Sequence, residues 1–396
     1  MVEISVIVVS RGRPRHLKRC LFSLFQMSAP NFELVVVADP EGLSAIDDLP
    51  FSVTLKKVAF DTPNISRARN AGIAAAAGSV LAFIDDDAVA EPGWLAALVA
   101  PFQDGAMAAT GAVKGRNGFS YQTAGEVVDA CGVVRPSPVP EAGEALKLIG
   151  TNMAIARAAL EAQGGFDENL AFYMDDTEIS WRLRHEPVVY VPDAIVHHSA
   201  AASERRTPAR RPLRLLDVGR SITVFLRRHA PRDAMAQALA AHRADQRRRL
   251  VAHMVRGSAE PATIRALMSD FEDGILLGQS QALSDLTCPP PSGVFKAWDR
   301  PVVDPAPLIL THRLRQKRAL KRAARIATTG APVTVLSMSR TGRRHVLTFD
   351  ETGVWVQRGG TFGRSVRNQK PGIVLRLKMR AKVETVRLFQ AGLCLN

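Results

Sequence analysis

Short apolar runs alternate with amphipathic segments through the N-terminal half of the chain. Ile4–Val9, Phe32–Ala38 and Val80–Ile84 are apolar almost without interruption, which predicts strands buried on both faces of a sheet. Helical periodicity begins at Pro14 and again at Ile65. Further candidates are strands at Val53–Val58, Met107–Val113 and Val188–Val191 and a helix after Pro92. Strands separated by single helices predict an α/β fold, with a mostly parallel sheet covered by helices on both faces.

The second half of the chain changes to long helices and then to short strands. Helices are predicted at Leu213–His229, Asp233–Val255 and Ala262–Leu277, before a linker at Pro289–Pro291. A basic helix is predicted over residues 308–327, with Arg315, Arg318, Arg322 and Arg325 on one side. Short strands are predicted at Val333–Ser337, His345–Phe349, Val354–Gln357, Ile373–Leu377 and Thr385–Phe389. We therefore expect a first domain over 1–205, a basic helical appendage over 206–290, and a basic helix with a small β-rich unit over 291–396.

Composition narrows the class of protein. The 396 residues are 46% hydrophobic, which is enough to bury a large core. Four widely separated cysteines give neither a disulfide framework nor a zinc-site spacing. No basic stretch precedes the first apolar run, and no run is long enough to span a bilayer. These features lead us to expect a cytoplasmic protein.

Charge divides the chain into two unlike halves. Residues 1–200 hold 16 Lys+Arg against 24 Asp+Glu, whereas the remaining 196 residues hold 36 against 14. An excess of +22 predicts an anionic partner for the second half, either a membrane surface, a phosphorylated molecule or nucleic acid. Nucleic acid is disfavoured, because the basic half has no zinc-finger or RNA-binding signature and aromatic residues are only 6% of the chain.

Asp85, Asp86 and Asp87 follow directly after the apolar run Val80–Ile84. Three adjacent carboxylates resist ionising together unless a cation offsets their charge. Oxygen ligands suit Mg²⁺ or Mn²⁺, which are commonly held by one or two carboxylates together with substrate phosphates. A solvated acidic turn is the alternative interpretation.

The carboxyl ends of parallel strands form the ligand-binding edge of such sheets, and Ser10, Asp39 and Asp85–Asp87 all fall there. The turn Ser10–Arg15 lacks the G-x-G-x-x-G pattern, and no G-x-x-x-x-G-K-[ST] occurs. These absences argue against a dehydrogenase and a P-loop enzyme. A nucleotide whose diphosphate is held through a metal ion on the aspartates remains open.

Several motifs follow one another in order over roughly residues 1–205. They are Ile4–Ser10 with Arg13-Pro14, Ala68-Arg69-Asn70-Ala71-Gly72, Phe83–Asp87 with Pro92–Leu95, Gly150–Ala154, Gly164–Glu168, and Asp175–Glu178 with Trp181–Leu183. Together they resemble the motifs of the family 2 glycosyltransferases, which have a GT-A (Rossmann-like) fold.

The resemblance implies a nucleotide-diphosphate sugar as donor and assigns roles to individual residues. Asp39 matches the position that contacts the base, and Arg69 an arginine near the nucleotide or its diphosphate. Asp85 and Asp87 match the outer positions of a DxD motif, one toward ribose and metal-bound water and the other on the metal. With Ser10 and Asp86 they are expected to line the donor site. Asp176 matches the catalytic carboxylate, but its neighbour Asp175 stands where glutamate is commoner, so either aspartate is a candidate base.

The chemistry of sugar transfer requires two acidic groups of this kind. A divalent ion neutralises the departing phosphate, and a carboxylate on the other side takes the proton of the acceptor hydroxyl. On a helix, Asp175 and Glu178 share a face while Asp176 projects about 100° away. The alternative is that these acids only complement the helix dipole.

His197 and His198 follow the strand candidate at Val188–Val191. Related enzymes place a histidine here near the metal, and imidazole can bind Mn²⁺. Only one of two neighbours can face the site from an extended strand, and His197 is the residue that we predict. The basic run Ser203–Arg211 would suit a loop that closes over a diphosphate, with a solvated linker as the alternative.

The sequence thus predicts a metal-dependent glycosyltransferase (EC 2.4, hexosyltransferase-like). A single strong base without a second nucleophile favours an inverting enzyme, acting on a glycan or lipid-linked acceptor in surface polysaccharide or glycoconjugate synthesis. The alternatives are another nucleotide-sugar or nucleotidyl transferase and, from a different class, a basic nucleic-acid-binding protein. The basic half leads us to expect peripheral contact with an anionic membrane surface.

Overall fold

The fold is described from a computed structural model that covers residues 2–28, 31–49, 51–198, 207, 210–298, 303–366, 369 and 377–395. The strands are β1 (Ile4–Ser10), β2 (Phe32–Ala38), β3 (Lys56–Ala59), β4 (Val80–Asp85), β5 (Ala88–Ala90), β6 (Ala108–Lys114), β7 (Tyr121–Thr123), β8 (Glu126–Asp129), β9 (Val134–Pro136), β10 (Glu144–Leu146), β11 (Met153–Ala156), β12 (Val188–His198), β13 (Ile309–His312), β14 (Thr334–Ser339), β15 (Val346–Phe349) and β16 (Trp355–Gly360).

The helices are α1 (Pro14–Phe25), α2 (Pro40–Ala45), α3 (Ile65–Ala75), α4 (Trp94–Val99), α5 (Arg157–Ala162), α6 (Asp175–Arg182), α7 (Leu216–His229), α8 (Met235–Val255), α9 (Pro261–Ser280), α10 (Gln316–Ala327) and α11 (Leu377–Gln390). Short 3₁₀ turns occur at Ser52–Thr54, Ala100–Asp104 and Arg313–Arg315. Among the described residues, none of these helices combines the length and apolar content that crossing a membrane requires.

A nine-stranded sheet forms the centre of the molecule. Its strand order is β3-β2-β1-β4-β11-β6-β12-β5, with β7 paired to β6. β1, β2, β3 and β4 are parallel to one another, and β6 and β12 follow the same direction because β11 is antiparallel to both β4 and β6. The α/β class and the mostly parallel sheet predicted from the sequence are confirmed. The strand predicted at Val53–Val58 begins only at Lys56, because Ser52–Thr54 form a 3₁₀ turn.

Helices cover both faces of this sheet, as the continuous apolar runs predicted. On one face, Leu17, Leu21 and Leu24 of α1 and Trp94 of α4 pack against alternate strand residues such as Val6. On the other face, α3, α5 and α6 pack against the residues between them, such as Ile7 and Val35. Since both faces are buried, the polar ends of the strands are the part of the sheet that can meet a ligand.

Helices α7, α8 and α9 form the helical region, near the bounds that periodicity predicted. They share a core with the first domain, in which Phe225 and Phe271 pack with Leu170, Met174 and Trp181. The predicted division at residue 205 therefore separates two segments with a common core, and it stays a prediction about domains.

The C-terminal unit comprises β13–β16, α10 and α11. Its sheet has the order β13-β14-β16-β15, in which β13, β14 and β16 are parallel. α10 packs on the face that carries Val335, and Ala381 of α11 packs on the face that carries Leu336 and Met338. The expected β-rich unit is thus a small α/β unit with a helix on each face.

Two predictions in this unit are wrong. The helix expected over residues 308–327 is a strand at Ile309–His312 and a turn at Arg313–Arg315 before α10 begins, so Arg315 does not lie on the helix with Arg318. The strand expected at Thr385–Phe389 is part of α11, because Ala381, Glu384 and Leu388 recur at helical spacing and are buried. Of the strand predicted at Ile373–Leu377, residues 373–376 lie outside the described residues.

Glycines allow α7 and α9 to approach closely. A Cβ added to Gly274 would lie 2.1 Å from the carbonyl oxygen of Leu216, and one added to Gly219 would lie 2.2 Å from that of Phe271. Neither carbonyl can move without shifting a helix, so the spacing of these two helices depends on the missing side chains.

We predict that Gly274→Ala destabilises the protein by about 1–3 kcal/mol, the usual cost of overpacking. The gain in helix propensity is only about 1 kcal/mol and acts in the opposite direction. Denaturant unfolding would measure the change. Gly342→Ala is the control, because nothing lies within 4 Å of its added Cβ. Equal or greater stability of Gly274→Ala would contradict the close helix packing.

Candidate functional site

The residues predicted at the carboxyl edge of the sheet do come together. β1 pairs with β2 and β4, with Ser10 opposite Ala38 and Val9 opposite Asp85. Ser10, Asp39 and Asp85–Asp87 therefore end three neighbouring strands. The turn after β1 joins them, because the Gly12 amide donates to Asp39 Oδ2 over 2.7 Å.

Asp39 has a structural role that its position at a strand end did not reveal. Its Oδ1 accepts a hydrogen bond from the Gly42 amide over 2.8 Å and caps α2, while Oδ2 holds Gly12. Both carboxylate oxygens thus accept backbone amides. Contact with a nucleotide base stays a prediction for this residue.

Asp86, which we expected to line the donor site, faces the interior of the fold. Its side chain is fully buried, Ser10 Oγ donates to Oδ2 over 2.7 Å, and Arg13 Nη2 lies 2.6 Å from Oδ1. Burial raises the pKa of Asp86 to about 7, against the opposing charge of Arg13. Ser10 and Asp86 therefore bind each other, and their contact with a donor stays a prediction.

Asp85, Asp87 and His198 form the only group of three that could hold a metal ion among the residues the structure describes. Their ligand atoms all lie within 4.8 Å of one another, and His198 Nε2 is 3.0 Å from Asp87 Oδ1. Burial lowers the pKa of His198, but the hydrogen bond and charge of Asp87 outweigh it and the pKa is raised. Two carboxylates and one imidazole form a donor set that fits Mn²⁺ and, with water, Mg²⁺.

His197, the predicted metal ligand, points away from this group. Its Nε2 lies 2.7 Å from Glu91 Oε1, which also binds Lys114 Nζ at 2.6 Å, and its ring is 5.0 Å from that of Trp355 in the C-terminal unit. Successive side chains of a strand point to opposite faces, so only one histidine could reach the aspartates. A register shift in β12 between Val191 and Ile195 helps to decide which one, and the sequence does not show it.

Arg69 connects the aspartates of β4 to those of α6. Its side chain is 3% exposed, Nη1 pairs with Asp175 Oδ2, and Nη2 lies 3.5 Å from Asp85 Oδ1 and 3.2 Å from the Gly150 carbonyl oxygen. The guanidinium carbon lies 5.3 Å from the ring centre of Phe166. One buried cation thus spans the two acidic groups that the sequence predicted.

Asp175 and Asp176 have different surroundings, although they are neighbours at the start of α6. Burial raises the pKa of Asp175 to about 6, despite the charge of Arg69. Burial would also raise the pKa of Asp176, but Lys147 Nζ and the Gly150 amide, each 3.1 Å from Oδ2, lower it. The Asp176 side chain is 24% exposed and that of Asp175 10%. Asp176 is therefore the more accessible of the two carboxylates, and its surroundings favour the ionised form more strongly than those of Asp175.

Glu178 belongs to the core and not to the site. Arg182 binds its carboxylate with two nitrogens, and His229 Nε2 of α7 lies 2.9 Å from Oε1. The side chain of Glu178 is fully buried. It links α6 to the helical region, and its separation from Asp176 follows the helical spacing predicted from the sequence.

Sequence reasoning missed three basic residues of the site: Arg13, Lys147 and His198. Arg13 lies in the turn Ser10–Arg15 after the first strand, and a basic residue in such a turn is equally compatible with a solvated loop. Lys147 carries no local signal, because its partner Asp176 is 29 residues away.

In the basic run Ser203–Arg211, residues 203–206, 208 and 209 lie outside the described part of the chain. The charge of Arg210 acts to lower the pKa of His198.

We predict that Arg69→Lys lowers the free energy of unfolding by about 2–4 kcal/mol. An ammonium cannot reproduce the planar fork, so at least one carboxylate and the Gly150 carbonyl lose a donor, at about 1–3 kcal/mol each.

The matched control is Arg67→Lys on the same helix. Arg67 is 54% exposed and pairs with Glu168 at 3.1 Å, so its replacement should change stability by no more than about 0.5 kcal/mol. Chemical denaturation of both variants gives the comparison. An equal change in the free energy of unfolding of the two variants would show that the contacts of Arg69 stabilise the fold no more than an exposed ion pair does.

Comparison with known proteins supports the resemblance at the N-terminal end. Residues 5–128 match the sequence model of glycosyl transferase family 2. No curated protein matches the sequence. The motifs at residues 150–183 lie outside the matched segment, and their assignment stays a prediction.

Several solved structures are similar to the chain. Crystalline S. aureus TarS 1-349 has 20% identity and a TM-score of 0.42, covering 60% of this chain and 69% of that one. Its complex with UDP-GlcNAc has 19% identity and a TM-score of 0.44, covering 60% and 71%. The mannosyltransferase PcManGT from Pyrobaculum calidifontis, in complex with GDP-Man and Mn²⁺, has 14% identity and a TM-score of 0.44, covering 70% and 87%.

The match over residues 5–128 spans β1 to β8, including Ser10, Asp39, Arg69 and the three consecutive aspartates. In this segment, which is about a third of the chain, the sequence is similar to glycosyl transferase family 2.

Proposed function

We propose that the protein transfers a sugar from a nucleotide-diphosphate sugar to a hydroxyl group of a glycan or lipid-linked acceptor. The observation that carries the proposal is the placement of two distinct acidic groups on either side of Arg69. Asp85 and Asp87 lie with His198, and Asp176 lies beyond Gly150 with Lys147. The match of residues 5–128 to the model of glycosyl transferase family 2 supports the same reaction class.

Asp85, Asp87 and His198 would hold the divalent ion. A bound Mn²⁺ or Mg²⁺ supplies positive charge that stabilises the departing diphosphate. Arg13, whose side chain is 29% exposed and lies 3.5 Å from Asp87, is placed to add a second cation beside it. Asp86 supports this arrangement from the interior by orienting Arg13.

Asp176 would take the proton of the acceptor hydroxyl. A general base must be ionised before it can act, and Lys147 and the Gly150 amide favour the ionised form of Asp176. Asp175 is engaged by Arg69 and is less exposed, which favours a positioning role. With one base and no second free carboxylate beside it, a single displacement that inverts the anomeric centre is the simplest reaction.

A nucleotidyl transferase could use the same metal group. It would not require a base on the far side of Arg69, and the open, ionised Asp176 therefore favours sugar transfer. We also propose that the acceptor belongs to surface polysaccharide or glycoconjugate synthesis, a proposal that rests on the family and not on any contact in the site.

A thermal-shift screen of UDP- and GDP-sugars, with and without Mn²⁺, tests the donor class. A ligand at 100 times its Kd should stabilise the protein by about 2.7 kcal/mol. Absence of a shift with every nucleotide-sugar, when Mn²⁺ is present, would count against the proposed donor.

We predict that Asp87→Ala abolishes transfer and removes the Mn²⁺-dependent part of the shift, because it deletes a ligand that lies 3.0 Å from His198. Asp104→Ala is the control, since Asp104 is an exposed aspartate outside the group. Titration of the metal-free proteins with Mn²⁺ gives an independent readout. Unchanged activity of Asp87→Ala after treatment with a chelator would remove the metal role.

For the base, we predict that Asp176→Asn keeps donor binding but lowers the transfer rate about 10²–10⁴-fold, the usual range for general-base catalysis. Asparagine can still accept from Lys147, so the fold should persist. The comparison is Asp175→Asn, which should mainly reduce stability through Arg69. A larger catalytic defect in Asp175→Asn would move the base to that residue.

A further inference from the structure

The carboxyl ends of three parallel strands meet at one edge of the C-terminal unit. His312 of β13 pairs with Met338 of β14, which pairs with Gly359 of β16. The segments that follow these strands are therefore neighbours. We call the exposed residues on them the basic edge: Leu314, Arg315, Arg340, Arg343, Arg344 and Phe362.

The basic edge has no acidic counterpart. No Asp or Glu occurs in the sequence between residues 305 and 349, a stretch that contains ten Lys and Arg. Residues 367–376, which come after β16, also contain no acid. Within the described part of the chain, no carboxylate forms an ion pair with the four arginines of the basic edge. Their charge is therefore available to an external anion.

A rigid backbone presents these side chains. The amide of Gly360 donates to the Arg343 carbonyl over 2.9 Å, and that of Phe362 to the Thr341 carbonyl over 3.1 Å. A Cβ added to Gly360 would lie 2.0 Å from the Thr341 carbonyl oxygen, so the two loops are in direct backbone contact. Little backbone freedom would therefore be lost in these two loops when the edge binds a partner.

Two large apolar side chains project from the same edge. Leu314 is 91% exposed and Phe362 is 42% exposed. The arginine face of α10 differs, because no large hydrophobic residue between 316 and 327 is exposed. Cationic and apolar side chains together are typical of surfaces that bind in the interface of a membrane. A helix face that carries only cations can be stable in water without such a partner.

The basic edge and the contact of Trp355 with the central sheet lie at opposite ends of β16. The strand begins at Trp355, whose ring contacts His197, and ends at Gly360, about 17 Å away at roughly 3.3 Å per residue. The basic edge is therefore a site distinct from the group of Asp85, Asp87 and His198.

We propose that the basic edge docks the protein on an anionic lipid surface. The arginines would bind headgroup phosphates, and Leu314 and Phe362 would enter the headgroup layer. The sequence predicted membrane contact for the basic half as a whole, and the proposal assigns that contact to the basic edge. Docking does not depend on sugar transfer; only its use, bringing the enzyme to a lipid-linked acceptor, rests on the proposed function.

Vesicle flotation tests the proposal with the full chain. Wild type should bind vesicles containing phosphatidylglycerol, bind pure phosphatidylcholine vesicles far less, and lose binding as salt is raised. Arg340→Gln/Arg343→Gln/Arg344→Gln should weaken binding about 100-fold, since each basic residue near the surface contributes about five-fold.

The matched control removes the same charge from the same unit. Lys321→Gln/Arg322→Gln/Arg325→Gln changes three exposed residues that lie about 9–15 Å along α10 from Arg315, at about 1.5 Å per residue. This variant should weaken binding less than about five-fold, because charges at about the Debye length of 10 Å or beyond are largely screened. An equal loss of vesicle binding in the two triple variants would show that binding depends on net charge and not on the basic edge.

An apolar variant gives a second, independent arm. Leu314→Ser/Phe362→Ser keeps all charges and should still reduce vesicle binding several-fold, whereas a purely electrostatic contact would be unaffected. Wild type that ignores anionic vesicles, or that binds random-sequence RNA or a soluble phosphodiester polymer as tightly as vesicles, would overturn the membrane proposal. Thermal unfolding and nucleotide-sugar binding of each variant show separately whether the fold and the donor site are intact.

Discussion

A single buried guanidinium holds the two halves of the candidate active site together. Arg69 lies on α3 and reaches the end of β4 through Asp85, the start of α6 through Asp175, and the intervening turn through Gly150. Leaving a buried charge without its partner costs about 3–5 kcal/mol, so these three segments constrain one another strongly. The contact thus ties the end of β4, which carries Asp85, to the start of α6, where Asp176 follows Asp175.

The acidic residues in and around the candidate site have different basic or polar neighbours. Asp86 turns inward to Ser10 and Arg13, Asp175 binds Arg69, Asp176 binds Lys147, and Glu178 binds Arg182 and His229. Asp85 and Asp87 lie together with His198, and their arginine neighbours, Arg69 and Arg13, are each 3.5 Å away. This is the group whose charge a bound cation would complete.

The regions outside the matched family segment are part of the same packed structure. The helical region contributes His229 to α6 and shares a core with Trp181. The C-terminal unit contributes Trp355 to His197, next to the proposed metal ligand His198, and the carbonyl of Gly353 accepts a hydrogen bond from Gln26 Nε2 over 2.6 Å. The helical region thus contacts α6 and the C-terminal unit contacts β12, and both of these elements carry residues of the candidate site.

The sequence by itself determined three features of the N-terminal half. They are a mostly parallel sheet, the alternation of strands and helices along the chain, and the acidic residues at the strand ends. These features depend on local patterns: apolar runs that must be buried on both faces, helical periodicity, and carboxylates placed directly after strands. The resemblance to family 2 then led us to predict Arg69 and Asp176 as site residues. The separation of Asp176 from Asp175 and Glu178 was predictable for the same reason, since helical spacing is fixed by the backbone.

Only the tertiary structure decided which partner each charged residue takes. The choice of His198 over His197 follows an irregularity in β12, and Lys147 meets Asp176 across 29 residues of chain. The helix at Leu377–Gln390 buries Ala381 and Leu388 against a sheet formed from distant strands, so local β propensity at Thr385–Phe389 did not prevail. Pairings of this kind depend on packing between segments far apart in the sequence, and no short window of the sequence contains both partners.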